Sequence, residues 1–399
     1  MVLLTISIGK AQKLDSDRIK QFDQEITQIS KIDLINGFGI TILTKDSILF
    51  SKGYGYANRE KEIPYSSQTL QNIGSVSKTL IGLALLRCEE MGKLYLDDPI
   101  TKYLDFVVKN PYYPNTNITI RQLATHTSTI QDTDLYDQKA YYVLDSLDLN
   151  LPSTKAQSEE FQTLESKVSM KGYLKRFLSP QGDWYSKKNF LRKRPGTKYE
   201  YTNVGATLAA HIIETVSGSS YDQFTKKEIL EALNMEASGW KYNQIDVSHH
   251  SILYNADKIP LPKYALVTYP DGGLITNHQN LSKYLMELMK AYEGDGSASL
   301  LRTKSYAELF KQQLPKKKMP KKIDNKYDDE FNSGIFMGFT PVGWVGHSGS
   351  DPGILCFLFF DPKIGIGHIL TLNTSLNGNS INKQLIPILE AIDSLITLQ

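Results

Sequence analysis

The stretch QNIGSVSKTLIGLALLRCEEMGKL, residues 71 to 94, constrains the fold more than any other part of the chain. It predicts a helix that begins near Ser75, is apolar on all sides from Leu80 to Leu86, and ends before Gly92. A helix that is apolar all round is expected to lie inside a protein core. The lysine at its head, Lys78, would therefore carry a charge into surroundings where a charge is costly.

Ser75 and Lys78 are three residues apart, so on a helix their side chains lie on one face. A lysine kept neutral by burial can take the proton of a serine hydroxyl and make the oxygen nucleophilic. The first N–H groups of a helix also suit a developing negative charge. The structural alternatives are a serine cap and a solvent-reaching lysine. The S-x-x-K spacing occurs four times, at Ser7, Ser75, Ser238 and Ser380, and only the second copy opens a long apolar helix.

Two further segments supply candidate site residues. In RPGTKYEYTNVG, the hydroxyl of Tyr201 could relay a proton and the amide of Asn203 could bind a substrate carbonyl. A half-buried aromatic residue and a helix cap are the alternatives for these two. In WVGHSGSDPG, His347 precedes Gly349, which lets a substrate lie against the strand, and Ser350, whose backbone N–H could bind an oxyanion. A hydrogen-bonded strand histidine is the alternative for His347.

The pattern around these segments predicts an α+β fold. Residues 37 to 56 alternate apolar and polar side chains about a turn, which is typical of an antiparallel hairpin. Three apolar runs near the C-terminus predict consecutive strands, and residues 381–398 a closing helix kinked at Pro387. We expect one antiparallel sheet from both ends of the chain, flanked by helices, with a mainly helical second lobe. The expected bounds are 13–95 and 256–399 for the α/β lobe, 96–255 for the helical lobe, and 131–193 for an insertion over a cleft.

Composition limits the partners. The formal net charge of +2 gives no reason to expect nucleic acid, and no run approaches the ~20 apolar residues of a membrane span. Residues 1–12 are similar to the end of a secretory signal, which favours an extracytoplasmic location, with a strand or tail as the alternative. Cys88 and Cys356 lie in apolar runs and are expected to be buried thiols. No metal-ligand spacing occurs, so we expect no metal site.

These segments and their flanks resemble the serine β-lactamase and penicillin-binding-protein superfamily, in the branch related to class C β-lactamases. That branch also contains D-aminopeptidases, DD-peptidases and family VIII esterases. The similarity runs from residue 37 to about 376 and follows the family's order. It includes IGSVSK, LDDPITKYL, ITIRQLATHTS, PGTKYEYTNVG, DGGLITN and GHSGSDPG.

The resemblance implies a β-lactamase/transpeptidase-like fold and a division of labour. Hydrolysis would proceed through an acyl-enzyme, without a metal or cofactor. The implied roles are acylation at Ser75, proton transfer by Lys78 and Tyr201, contact with the substrate amide or carbonyl by Asn203, an oxyanion hole from the N–H groups of Ser75 and Ser350, and a binding strand lined by His347 and Gly349.

Two departures from the family pattern matter. Class C β-lactamases carry Lys-Thr-Gly where this chain has His347-Ser348-Gly349, and a histidine is mostly neutral at pH 7. Relatives usually carry glycine at the position of Thr129.

From the candidate residues and the resemblance together, we predict a serine hydrolase that acts on an ester or amide of a small molecule or peptide, including D-amino-acid peptides. A class C-type β-lactamase and a non-catalytic binding or scaffold protein are the alternatives. The sequence does not define an oligomeric state.

Overall fold

The structure is a computed structural model that describes residues 16–145, 161–315 and 326–397 of the 399-residue chain. The segment 1–12, for which we predict a signal remnant, and the Ser7 copy of S-x-x-K lie outside these residues. In the described part of the chain, no helix combines the length and the apolar character needed to cross a membrane.

The described elements come in runs of strands and runs of helices along the chain. The strands are β1 (Gly37–Leu43), β2 (Ile48–Asn58), β3 (Ile63–Pro64), β4 (Gln71–Asn72), β5 (Tyr141–Val143), β6 (Phe161–Gln162), β7 (Tyr264–Leu266), β8 (Ile275–Thr276), β9 (Asn332–Ser333), β10 (Gly338–Phe339), β11 (Val345–Asp351), β12 (Ile354–Asp361) and β13 (Ile366–Leu372). The helices are α1 (Ser16–Ser30), α2 (Lys78–Glu90), α3 (Ile120–Ala124), α4 (Asp134–Ala140), α5 (Met170–Leu178), α6 (Asn203–Ser217), α7 (Tyr221–Thr225), α8 (His278–Glu293), α9 (Thr303–Leu309), α10 (Gly378–Ser380) and α11 (Ile386–Thr397).

The main sheet has seven antiparallel strands in the order β10-β11-β12-β13-β1-β2-β3. The predicted hairpin is β1 and β2, and the three predicted C-terminal strands are β11, β12 and β13. Strand β1 pairs with β13, with Ile40 opposite Leu370. The sheet therefore joins the two ends of the chain, and the predicted α+β class with an antiparallel sheet is confirmed.

Both faces of the sheet are covered by helices. On one face, Phe38 and Ile40 of β1 pack in a buried cluster with residues of α1 and α11. On the other face, the Thr41 hydroxyl lies 2.8 Å from Nδ1 of His278 on α8. Because strand side chains alternate between faces, every residue of β1 is buried. In the sequence, β1 is accordingly a run of apolar residues interrupted only by glycine and one threonine.

Helix α2 lies in the core, as its apolar sequence predicts. Its side chains are buried without a break from Lys78 to Leu86, and it packs against α6. Gly92 ends it in the left-handed conformation, with φ of +68°. The start differs from the expectation near Ser75: a 3₁₀ turn, Gly74–Ser77, comes first and the α-helix begins at Lys78. The positive φ of Gly74, +54°, turns the chain into this tight start.

The structure contains a small sheet that the sequence does not indicate. Strands β5, β6 and β7 form a three-stranded sheet in the order β6-β5-β7, in which β5 pairs with β6 in parallel and with β7 in antiparallel fashion. The described residues of the 131–193 segment thus include α4, β5, β6 and α5. Strands of two or three residues are too short to leave a period in the sequence. The lobe boundaries given above stay a prediction.

Two smaller predictions concern the last helix and the cysteines. The segment from Asn377 onward forms α10, a π-type turn over Ile381–Leu385 and then α11. Pro387, which has no N–H to donate, is the second residue of α11, just after this irregular turn. Cys88 and Cys356 are free and buried, which confirms the expectation for both thiols.

Candidate active site

The candidate nucleophile and base lie together at the start of α2. Lys78 Nζ is 2.8 Å from Ser75 Oγ and 2.7 Å from the backbone carbonyl oxygen of Asp271. Residues three apart in a 3₁₀ turn lie above one another, which explains how the turn brings the two side chains together. Ser75 is partly exposed, whereas Lys78 is fully buried. The alternatives of a serine side-chain cap and a solvent-reaching lysine are therefore wrong.

The surroundings of Lys78 favour its neutral form. Burial lowers the pKa of the amine, while the negative charges of Asp271, Asp351 and Asp132 partly offset this effect. The Asp271 carbonyl accepts one N–H, so a neutral amine would keep its lone pair for the Ser75 hydroxyl. This arrangement is that of a serine activated by an adjacent base.

Tyr201 lies beside both Ser75 and Lys78. Lys78 Nζ lies 5.1 Å from the centre of the Tyr201 ring, and the ring stacks on His126 with centroids 4.6 Å apart. Burial raises the pKa of Tyr201 well above its ordinary value, and a hydrogen bond with Ser75 lowers it in part. The phenol therefore keeps its proton at neutral pH. It can pass a proton between groups, whereas the depressed pKa of Lys78 suits the role of base.

Strand β11 runs against the 3₁₀ turn so closely that only glycine fits. A Cβ atom on Gly349 would lie 2.1 Å from the Ile73 carbonyl oxygen and 2.8 Å from the Ser75 nitrogen. A Cβ atom on Gly74 would lie 2.8 Å from the Ser350 nitrogen. The two backbone segments are thus in direct contact, and the N–H groups of Ser75 and Ser350 lie close together. Two such N–H groups can form an oxyanion hole.

His347 is a buried histidine of β11. Its Nδ1 lies 2.5 Å from the Ser348 carbonyl oxygen and 3.3 Å from a carboxylate oxygen of Asp329. Because a carbonyl oxygen only accepts, Nδ1 carries the hydrogen. Burial lowers the pKa of His347, and the Asp329 charge opposes the shift. His347 is therefore a hydrogen-bonded strand histidine, which is the alternative that the sequence left open. The centre of its ring lies 6.1 Å from the centre of the Tyr201 ring.

Asn203 is the first residue of α6. The helix cap is Thr202, whose hydroxyl accepts the Gly205 N–H at 3.1 Å, so the cap alternative for Asn203 is wrong. Asp132 completes this start: its carboxylate accepts the Thr202 hydroxyl at 2.7 Å and the N–H groups of Asn203 and Val204 at 2.7 and 3.1 Å. The partly exposed Asn203 side chain is left to contact a substrate.

The sequence alone did not single out the carboxylates behind the site. The Asp271 carboxylate accepts hydrogen bonds from Tyr136 and Thr207, and burial raises its pKa to about 6. Asp351 accepts the Tyr141 hydroxyl at 2.5 Å, and burial raises its pKa to about 7. Each is a lone carboxylate with partners far away in the sequence. The only signal was their place in motifs already quoted, DGGLITN and GHSGSDPG. In the described ranges, His, Cys, Asp and Glu side chains form no group of three placed to hold a metal ion.

Comparison with known proteins places this geometry in a family. A family model described as Beta-lactamase matches residues 22–389. The chain belongs to the beta-lactamase family. Protein flp of Staphylococcus aureus (strain MRSA252) is 24% identical over 375 residues, 93% of this chain. The chain spans 66% of the length of that relative. The human serine beta-lactamase-like protein LACTB, mitochondrial, is 26% identical over 298 residues, 64% of this chain and 53% of that protein.

Solved structures of several proteins share the fold. The octameric penicillin-binding protein homologue from Pyrococcus abyssi has a TM-score of 0.67 and 23% identity, over 93% of this chain and 77% of that chain. A D-amino acid amidase from Ochrobactrum anthropi SV3 has a TM-score of 0.67 and 18% identity, over 94% and 99%. A class C beta-lactamase has a TM-score of 0.66 and 18% identity, over 96% and 97%. The predicted β-lactamase/transpeptidase-like fold is confirmed.

Proposed function

We propose that the protein is a serine hydrolase that cleaves an ester or amide bond through an acyl-enzyme on Ser75. The contact between Lys78 Nζ and Ser75 Oγ, at 2.8 Å with the lysine fully buried, carries this proposal. A structural lysine would be expected to reach solvent or a carboxylate partner. Here the ammonium is disfavoured by burial, and its contacts are a serine hydroxyl and a backbone carbonyl.

Acylation follows from the positions of four groups. The neutral Lys78 amine takes the proton of Ser75, and the Ser75 oxygen attacks the substrate carbonyl carbon. The oxygen of the tetrahedral intermediate, now negative, is held by the N–H groups of Ser75 and Ser350. Removing one oxyanion donor in a serine hydrolase typically costs about 10²–10³ in rate, so this pair is a large part of the proposed catalysis.

Collapse of the intermediate needs an acid for the leaving group. The Tyr201 hydroxyl, which keeps its proton because its pKa is raised, donates to the leaving oxygen or nitrogen and regains a proton from Lys78. Water then attacks the acyl-enzyme, with the same groups working in reverse. Asn203, at the rigid start of α6, contacts the amide or carbonyl of the substrate.

The substrate class rests on His347. A permanently charged lysine in this place would hold a substrate carboxylate, whereas the pKa of His347 is lowered by burial and the ring is neutral at pH 7. We therefore propose esters and uncharged amides, D-amino-acid amides among them, over carboxylate-bearing β-lactams. Turnover of a short-chain aryl ester should exceed that of a chromogenic cephalosporin. A strong preference for the cephalosporin would instead favour the class C-type β-lactamase alternative.

Labelling with a fluorophosphonate separates an enzyme from a binding or scaffold protein. Intact mass should show one adduct, and peptide mapping should place it on Ser75. Ser75→Ala should abolish the adduct without changing the melting temperature. Ser350→Ala is a matched control, since that variant keeps the backbone N–H proposed for the oxyanion hole and should be labelled normally. An unlabelled wild-type protein would refute the hydrolase proposal.

A further inference from the structure

A cavity lies beside the small sheet of β5, β6 and β7, away from Ser75. Its volume is about 570 Å³, and its walls include four aromatic side chains, those of Tyr142, Trp240, Tyr242 and Tyr269. A smaller cavity of about 200 Å³ adjoins it and shares Tyr142 and Lys167 as lining residues. Cavities of roughly 300–1,000 Å³ are the size that encloses small organic ligands.

The small sheet separates this cavity from the candidate active site. In the β5–β7 pair, Tyr142 lies opposite Ala265, and both line the cavity. Side chains of adjacent residues point to opposite faces of a strand. Accordingly, the Tyr141 and Tyr264 hydroxyls contact the end of β11, at the Asp351 carboxylate and the Pro352 carbonyl oxygen. One face of the sheet thus supports the candidate active site, and the other lines the cavity.

Helix α6 gives the separation a scale. It begins at Asn203, beside the candidate nucleophile, and its residue Glu214 lines the cavity. With a rise of 1.5 Å per residue, these two positions are about 16 Å apart along the helix. A ligand in the cavity would therefore not touch Ser75, and the cavity is separate from the candidate active site.

The charges around the two cavities are predominantly positive. Five lining residues are basic and two are acidic: Lys139, Lys167, Lys171, Arg176 and Lys241, against Glu214 and Asp222. Three of the basic residues are already in ion pairs: Lys241 with Asp222, Lys171 with Asp105 and Arg176 with Asp183. Lys167 lies over the Tyr142 ring, 4.5 Å from its centre. Within the described ranges, no carboxylate lies at ion-pair distance from Lys139 or Lys167, which leaves two cations for an outside anion.

We propose that this cavity is a binding site for a small aromatic carboxylate. The aromatic walls would pack against the ring of the ligand, and Lys167, at the junction of the two cavities, would pair with its carboxylate. Lys139 lies on the adjoining side and would add to the positive potential.

Isothermal titration with three naphthalene probes tests the head group. We expect naphthoate to bind, naphthalenemethanol to bind more weakly, and naphthylmethylammonium to bind at least about tenfold more weakly than naphthoate. The double variant K139Q/K167Q should weaken naphthoate binding by about three- to tenfold, since each exposed pair contributes little on its own. Lys175→Gln, an exposed lysine of α5 that lines neither cavity, is the matched control and should bind as the wild type does.

A second pair of variants tests whether the ligand binds in this cavity or at Ser75. Ala265→Leu puts three more carbon atoms into the cavity and should abolish naphthoate binding while the melting temperature stays within about 2 °C. Ser75→Leu blocks the candidate nucleophile and should leave binding unchanged. Loss of binding in Ser75→Leu, or equal affinity for naphthylmethylammonium and naphthoate, would overturn the proposal.

Discussion

Two helices begin at the candidate active site, and they begin in opposite ways. The 3₁₀ turn before α2 has no side-chain cap, nor does α2 itself. Helix α6 is capped by the Thr202 hydroxyl, and the Asp132 carboxylate accepts two of its first N–H groups. Capping typically stabilises a helix by about 1 kcal/mol, so α2 forgoes a contribution that α6 keeps.

The difference matches what each helix contributes. The first N–H groups of a helix lack partners within it, and a cap consumes them. The 3₁₀ turn before α2 has no side-chain cap that would take its first N–H groups, and the proposed oxyanion hole needs such a donor from Ser75. At α6 they are satisfied, which fixes the backbone that carries Tyr201 and Asn203. One helix start is kept open for substrate, and the other is kept rigid to position a phenol.

The largest expected effect concerns Lys78, at the uncapped start of α2. Lys78→Met removes the proposed base, and we expect acylation to fall by at least about 10³-fold. Burial lowers the pKa of Lys78 in the folded state, so the unfolded state holds this proton more tightly and burying the amine works against folding. The variant should therefore be more stable by about 1 kcal/mol, measured by urea unfolding at pH 7. An active or destabilised variant would contradict the assignment. Lys93→Met, at an exposed site, should change neither property.

Gly349→Ala tests the contact that places the two N–H groups. Its Cβ would lie 2.1 Å from the Ile73 carbonyl oxygen, so β11 must move away from the 3₁₀ turn. We expect a loss of about 10²-fold in acylation and about 2 kcal/mol in stability. Gly378→Ala is the control, because nothing lies within 4 Å of its added Cβ. Normal labelling of Gly349→Ala would show that the close contact is dispensable.

Asp132→Asn tests the capped start of α6. The amide keeps one acceptor but loses the charge that faces two N–H groups and the Thr202 hydroxyl. We expect a loss of about 1–2 kcal/mol in stability and about tenfold in kcat, because Tyr201 is less well held. Asp134→Asn, an exposed carboxylate of α4, should behave as the wild type. If Asp132→Asn lost stability but kept full kcat, the carboxylate would be structural alone.

The acylation rate should rise with pH as Lys78 loses its proton. Asp351 is one of the charges that raise the pKa of this lysine, against the larger effect of burial. Asp351→Asn removes that charge and keeps an acceptor for the Tyr141 hydroxyl, so the rising limb should move down by about half a pH unit. The measurement is the pH profile of kcat/KM with an aryl ester. If the rising limb of the profile moved to higher pH, the group that titrates there would not be Lys78.

The smallest effect concerns Thr129, which precedes Asp132 and has a φ of +72°. A branched residue in this conformation is strained by about 1–2 kcal/mol. Its hydroxyl accepts a hydrogen bond from Asn110, whose amide also reaches two backbone carbonyls. Thr129→Gly should therefore raise stability by about 0.5–1 kcal/mol in thermal unfolding, with activity unchanged. Thr127→Gly, where φ is ordinary, should lower it.

The elements that the sequence predicts well are those with a local pattern. The hairpin of β1 and β2, the continuous apolar stretch of α2 and the strands from Val345 onward each have a local signal in the sequence, and the structure has them. The resemblance supplied Ser75, Lys78 and Tyr201 as a group, and the structure brings them together. The capping of α6 by Asp132 was not predictable, because it depends on a carboxylate 71 residues away from Asn203. The contact between the 3₁₀ turn and β11 is likewise invisible in a local window of sequence.

The pairing of β1 with β13 has a consequence for synthesis on the ribosome. Ser75 leaves the exit tunnel early, but the strand that brings Ser350 beside it is held in the sheet by β12 and β13, which emerge only when residue 372 has been made. A nascent or prematurely terminated chain therefore carries its reactive hydroxyl without a partner strand to stabilise charge on a bound carbonyl. The enzyme proposed here would stay switched off until its last strands have been translated.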